Sequence, residues 1–333
     1  MKPYDIGISP FGPSRKVKAA IRKAIKDINS GSRDAQVRFE QLLLSRYGLG
    51  HDNLLLANSL KELVYAIPQA LKARNVLIIG PADNLYRDAA RSAGAQIEFL
   101  DGREEAGYMP DLSVLGEKSG SFDMAYMASP NRITGRVMDD GKLREAIERL
   151  SDGACVLVID ESLIAFTQQD SLMEHVQKKR NIIVLQTTAC YYGLAGLELA
   201  AAASSGAVIA ALRERIHGEL HLPAVVAARA AMKDSAFRRM TSTFIEEERR
   251  LLQRAVSGLH GIGLYGSDSN VLLFKHHPCM AGVARMARKA GLAAELYEGR
   301  DGSGPALLRI SIMRHEHNLR LIKILKKVCA EEE

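Results

Sequence analysis

Apolar residues recur at Val17, Ala20, Ile21, Ala24 and Ile28. That spacing of three and four predicts an amphipathic helix over 14–29, with Ser14 able to cap its start. The polar break Asn29-Ser30-Gly31-Ser32 ends it. A second helix is predicted over about 35–47, stopped by Gly48, and a third over 60–72. From residue 75 the rhythm changes. Short continuous apolar runs appear at 75–80, 96–100, 122–127, 155–160 and 181–186, separated by helical stretches near 84–93 and 140–150.

Runs that are apolar throughout, rather than alternating, read as strands buried on both faces. Strands alternating with helices predict an α/β fold with a mostly parallel, seven-stranded-type sheet. Ligands in such sheets bind beyond the carboxyl ends of the strands. The residues to watch are therefore Pro81, Ser129 to Thr134, Asp160 and Thr187 to Cys190. Beyond the sheet the pattern predicts a long helical stretch over 225–256, strands at 270–275 and 307–312, and helices at 280–290 and 316–331. This divides the chain into a large α/β domain over 35–225 and a smaller α+β domain built from 1–30 and 226–333.

The length of 333 residues agrees with two domains. Hydrophobic residues at 47% and charged residues at 25% exclude a disordered chain. The net charge of +6 raises the question of nucleic acid, but the basic residues are dispersed. The densest patches, Lys178-Lys179-Arg180 and Lys326-Lys327, read as solvated helix ends, so no nucleic-acid partner is expected. Cys155, Cys190, Cys279 and Cys329 form no CxxC pair and read as free thiols in a reducing compartment. The N-terminus has no apolar signal core, and no apolar run approaches the roughly 20 residues of a membrane span. A cytoplasmic protein is expected. The histidines His276, His277, His315 and His317 lack companions at metal-ligand spacing, so no metal is expected.

The strand ends carry a series of motifs: Ser9-Pro10-Phe11-Gly12-Pro13, Ser129-Pro130-Asn131-Arg132-Ile133-Thr134-Gly135, Asp160-Glu161-Ser162-Leu163-Ile164-Ala165-Phe166, Gly193-Leu194-Ala195-Gly196-Leu197 and Leu308-Arg309-Ile310-Ser311. In that order the chain resembles the fold-type I, pyridoxal-phosphate-dependent aminotransferases of class I/II. Within them it is most similar to histidinol-phosphate aminotransferase and threonine-phosphate decarboxylase. The resemblance implies pyridoxal 5'-phosphate as cofactor, a homodimer, and a site at the strand ends. In that family a lysine forms a Schiff base, a carboxylate holds the pyridine nitrogen protonated, and an arginine and hydroxyls hold the phosphate.

Several positions depart from that pattern. Cys190 stands where the family has its lysine, and Glu198 where it has the phosphate arginine. Arg132 replaces the asparagine and Leu163 the tyrosine that bond the ring oxygen; Asp83 replaces the stacking aromatic. Ser59-Leu60-Lys61-Glu62-Leu63 replaces the phosphate loop, and Asn29-Ser30-Gly31-Ser32 lacks the tyrosine that a partner subunit contributes. By resemblance, Asp160, Thr187, Arg132 and Asn131 form a degenerate cofactor-binding set, and Arg309 and Asn270 a substrate-binding set. Opposite charges at adjacent strand ends predict that Arg132 pairs with Asp160 or Glu198 and fills the cofactor's volume. Three functional readings follow. One is an aminotransferase-like pseudoenzyme that binds a small ligand or acts as a partner subunit. The second is an enzyme using pyridoxal or pyridoxamine phosphate non-covalently. The third is an enzyme dependent on Cys190 as nucleophile.

Overall fold

The structure is a computed structural model that describes residues 5–115, 120–151, 155–177, 181–299 and 306–330. The patch Lys178-Lys179-Arg180 and the side chain of Cys329 lie outside the described residues. The helices are α1 (Arg15–Ala24), α2 (Arg33–Tyr47), α3 (Leu60–Ala70), α4 (Asn84–Ser92), α5 (Asp140–Ser151), the short α6 (Ala189–Tyr192), α7 (Gly206–Arg213), α8 (Leu222–Lys233), α9 (Ser235–Ser257), α10 (Met280–Lys289) and α11 (His315–Ala330). The strands are β1 (Leu54–Ala57), β2 (Asn75–Ile79), β3 (Gln96–Leu100), β4 (Met124–Ala128), β5 (Val156–Asp160), β6 (Ile182–Thr187), β7 (Ala200–Ala203), β8 (Val271–Leu273), β9 (Ala294–Tyr297) and β10 (Leu307–Ser311).

Seven strands form one sheet in the order β1-β7-β6-β5-β4-β2-β3, and three form a second in the order β8-β10-β9. In the large sheet β3, β2, β4, β5 and β6 pair in parallel, while β7 runs antiparallel to both β6 and β1. The fold is α/β, a mixed but mostly parallel sheet covered by helices on both faces, beside a smaller antiparallel sheet. None of the described helices is long and apolar enough to cross a membrane.

The two-residue period of β5 shows how sequence positions the site. Leu157 and Ile159 join a core with Phe39 and Leu43 of α2 and Ala146 and Ile147 of α5. Val158 points the other way, into a core with Leu63 and Ile67 of α3, Tyr86 of α4 and Ile209 and Leu212 of α7. Asp160 follows Val158 by two, so it is delivered to the face of α3 and α4.

Two expectations need correction. The helical stretch 225–256 is two helices, broken at Asp234, whose carboxylate accepts a hydrogen bond from the Phe237 amide and caps α9. The first helix ends at Ala24 and passes into a single 3-10 turn over Ile25–Asp27.

Candidate functional site

The carboxyl ends of β4, β5 and β6 meet the N-termini of α3 and α4, and Asp160 lies at the centre, 1% exposed. Its Oδ2 accepts from the Tyr86 hydroxyl at 2.6 Å. Its Oδ1 accepts from the Ser162 amide at 2.8 Å and from the Ser162 hydroxyl. Tyr86 stacks on Tyr126 with ring centroids 5.1 Å apart, and the Tyr126 hydroxyl donates to the Val64 carbonyl at 2.7 Å. Burial, and then the Asp160 charge, push the Tyr86 hydroxyl well above its ordinary pKa, so it remains a donor. Both oxygens of Asp160 thus accept hydrogen bonds from groups of the chain itself, and Oδ2 keeps a second lone pair.

Arg132 departs from expectation. Its ion pair is with Asp83, Nε to Oδ2 at 2.7 Å, rather than with Asp160 or Glu198. The reason is local: the turn after β4 and the segment after β2 are neighbours, because β2 and β4 pair in parallel. Asp83 Oδ1 also lies 3.7 Å from Nη1 of Arg309, which projects from β10. Burial raises the Asp83 pKa, but the charges of Arg132 and then Arg309 outweigh it and hold the carboxyl below its ordinary value. Arg132 still lies close enough to Asp160 for that charge to act on it, and a thiolate at Cys190 would add to it. Burial disfavours its charge, yet the carboxylates of Asp83 and Asp160 help hold it well above the ordinary value.

Asn131, next in line, is committed to the backbone. Its Oδ1 accepts from the Ile133 and Thr134 amides at 2.9 and 3.0 Å, and its Nδ2 donates to the Pro81 carbonyl at 2.7 Å. This Asx turn aims Arg132. Gly135 closes it with φ +74, where a Cβ would meet the Val271 carbonyl oxygen at 2.3 Å.

At the end of β6 the hydroxyl of Thr187 donates to Glu198 Oε1 at 2.6 Å. The same oxygen accepts the Leu60 amide, at the N-terminus of α3, at 3.3 Å. Glu198 thereby gathers a hydroxyl and a helix-start N–H, the donors that suit an anion. Cys190 lies in α6, 4% exposed. Burial pushes its thiol up to about 11, against the opposing pull of the Arg132 charge. Its carbonyl accepts the Ser9 amide at 2.8 Å, which ties the N-terminal segment to the site.

Arg309 and Asn270 close the other side. Arg309 Nη1 donates to the Arg132 carbonyl at 3.0 Å, and Nη2 pairs with Glu295. Asn270 is fully buried, with Nδ2 donating to the Ile8 carbonyl at 3.4 Å. Asn270 Oδ1 and Arg309 Nε are buried and have no hydrogen-bond partner among the described residues.

One group went unnoticed in the sequence. Glu161 faces away from Asp160 and accepts from the Ser171 hydroxyl at 2.5 Å, the Leu172 amide at 2.8 Å and Gln186 Nε2 at 3.0 Å. Gln186 in turn accepts from the Tyr47 hydroxyl at 2.9 Å. Burial raises the Glu161 pKa to about 7, partly opposed by these hydrogen bonds. The group lines a cavity of about 540 Å³ together with Arg46 and Arg238. Its only sequence signal is adjacency to Asp160. Among the histidines, His315 pairs with Glu248 at 2.7 Å and His277 contacts Cys279 Sγ at 3.1 Å. No cluster of three or more metal-ligating side chains occurs among the described residues.

Comparison with known proteins gives a consistent picture. The profile of the family described as aminotransferase class I and II matches residues 5–325. Histidinol-phosphate aminotransferase 2 of Archaeoglobus fulgidus is 27% identical over 332 residues, covering 96% of this chain and 91% of that protein. The histidinol-phosphate aminotransferase of Roseiflexus castenholzii is 30% identical over 348 residues, covering 98% and 89%. The crystal structure of histidinol-phosphate aminotransferase from Sinorhizobium meliloti in complex with pyridoxal-5'-phosphate superposes with a TM-score of 0.87 at 19% identity, covering 100% of this chain and 92% of that one.

Proposed function

Because the chain belongs to the class I and II aminotransferases, we propose that it is a member that has given up pyridoxal-phosphate transamination and acts as a small-ligand-binding or partner pseudoenzyme. The observation that carries this reading is Glu198, whose carboxylate takes the Thr187 hydroxyl and the Leu60 amide. These are the donors a phosphate would need. A second anion there is repelled by about 4 kcal/mol per pair of unit charges at 4 Å, at an effective dielectric of about 20.

The remaining residues fit the cofactor no better. Cys190 offers a thiol where the family's motif has an amine, and Arg132 with Asp83 forms an internal ion pair in place of an amide and an aromatic ring.

Non-covalent use of pyridoxamine phosphate meets the same repulsion from Glu198. Nucleophilic use of Cys190 is disfavoured by its burial and by a thiol pKa of about 11, which leaves it protonated at neutral pH. The division into 35–225 and 1–30 with 226–333 belongs to this reading, as do a cytoplasmic setting and a homodimer. Ile25, Ile28 and Val37, exposed at 55%, 65% and 43%, supply apolar surface for a second copy. Calorimetric titration with pyridoxal phosphate and pyridoxamine phosphate tests the proposal: no heat of binding at sub-millimolar concentrations is expected. Saturable binding of either, lost on addition of inorganic phosphate, would overturn it.

A further inference from the structure

Glu161 follows Asp160 off the end of β5, and its amide still donates to the Leu185 carbonyl of β6. Strand alternation therefore turns its side chain away from Asp160. It is 2% exposed, and no cation pairs with it among the described residues. Its Oε2 accepts from the Ser171 hydroxyl and Gln186 Nε2, whereas Oε1 accepts the Leu172 amide and keeps a lone pair. Three donors thus hold a buried carboxyl in place, and a buried carboxylate is costly without a counter-charge.

The cavity of about 540 Å³ that Glu161 lines extends to α9. Its volume is that of small-molecule sites, roughly 300–1,000 Å³. Gln186 and Thr187 line it and are partly exposed, although β6 lies between β5 and β7. From α9, Arg238 lines the same cavity, and its Nε is buried with no hydrogen-bond partner among the described residues. An acid without a cation and a guanidinium nitrogen without an acceptor therefore border one space. Phe39, Tyr191 and Tyr192 form part of the wall, and aromatic faces suit an organic cation. The remaining charges do not supply the missing partners. On the rim, Arg46 and Arg239 stand against Asp170 and Glu174, all exposed, and Arg46 lies over the Tyr47 ring at 5.6 Å. A smaller cavity of about 100 Å³, which Glu161 also borders, brings His175 and the pair Asp140 and Arg144, joined to each other at 2.8 Å.

We propose that this cavity is a ligand site in its own right, taking a small zwitterion whose guanidinium or ammonium head sits on Glu161 and whose carboxylate tail sits on Arg238. The head supplies the cation that Glu161 lacks, and the tail supplies the acceptor that Arg238 Nε lacks. Glu161 is turned away from Asp160, so the proposal goes beyond the preceding reading and does not depend on whether a cofactor binds at the strand ends.

Calorimetric titration of the full chain with γ-guanidinobutyrate, which carries both charges, tests the site. Saturable binding is expected, weaker by at least about tenfold in Glu161→Gln and by about tenfold in Arg238→Gln. Burial raises the Glu161 pKa to about 7, and the head pairs with the charged form, so wild-type affinity falls about tenfold from about pH 8 to about pH 6. That fall is expected to persist in Arg238→Gln and to vanish in Glu161→Gln, where a contribution from His175 would remain. γ-Ureidobutyrate has the same tail and a neutral head. It is expected to bind wild type at least about tenfold more weakly, and this comparison decides alone should Glu161→Gln not fold. Equal affinity for the two compounds overturns the proposal, as do equal affinity in wild type and Glu161→Gln, the absence of saturable binding at millimolar concentrations, or displacement of γ-guanidinobutyrate by pyridoxal phosphate. Pyridoxal phosphate that binds alongside γ-guanidinobutyrate removes the pseudoenzyme reading and leaves this site intact.

Discussion

Glu161 is a buried carboxyl whose pKa is raised from 4.5 to about 7, chiefly by burial. The folded protein therefore keeps a proton that the unfolded chain releases between those values. Stability falls as pH rises from about 4.5 to 7 and is level beyond, a loss of about 3 kcal/mol at about 1.4 kcal/mol per pH unit. Glu161→Gln is neutral throughout, so its melting temperature is expected to gain on wild type between pH 5 and pH 8. A difference that does not change with pH would refute the raised pKa. Cys190 gives a second expectation at this scale. With its thiol near 11, only about one molecule in ten thousand is thiolate at pH 7. Alkylation by iodoacetamide, followed on the Cys190 peptide, should be at least about a hundredfold slower in the native protein than in urea. Comparable rates would revive a nucleophilic role. By resemblance the sequence offers Arg132, Asp83, Cys190 and Glu198 as site residues, because each sits at a fixed offset in a motif. It does not reveal that Arg132 chooses Asp83, since that contact spans 49 residues and depends on which strands pair.

The elements that sequence pattern located best are those buried on both faces. β2 and β5 read as short apolar runs and are buried along most of their length, whereas β3, the partly exposed edge strand, also appears over the predicted residues. β7 escaped notice because four alanines carry no strand preference; their conformation is fixed by pairing with β6 and β1. The break between α8 and α9 was equally hidden, since Asp234 interrupts a segment whose composition favours helix on both sides. The short α6 carries Cys190 and stops at Gly193, which adopts φ +63. A Cβ on Gly193 would lie 2.6 Å from the Gly12 Cα, so this glycine lets the N-terminal segment cross the site. Gly193→Ala is expected to destabilise the fold by about 2 kcal/mol or more, from left-handed strain plus the clash. Urea denaturation checks this; an unchanged midpoint would mean that the segment is not held there.

For the molecule as a whole, family membership and site chemistry point in different directions. The chain follows the class I and II aminotransferase family over residues 5–325, with the large sheet, the small sheet and the strand-end site all in place. Within that frame the anion-binding donors are served by the protein's own carboxylates: Glu198 on Thr187 and the start of α3, Asp83 on Arg132 and Arg309. Internal anions of this kind neutralise a site that would otherwise hold unpaired buried cations and orphan amides. On the proposed reading the fold needs no bound cofactor at this site. The measurement that meets this claim most directly is the visible absorbance of the purified protein after incubation with pyridoxal phosphate, desalting and treatment with borohydride. No retained band and no stoichiometric covalent adduct by intact mass are expected. A band that survives desalting, disappears on reduction and leaves one adduct per chain at a single lysine would contradict it.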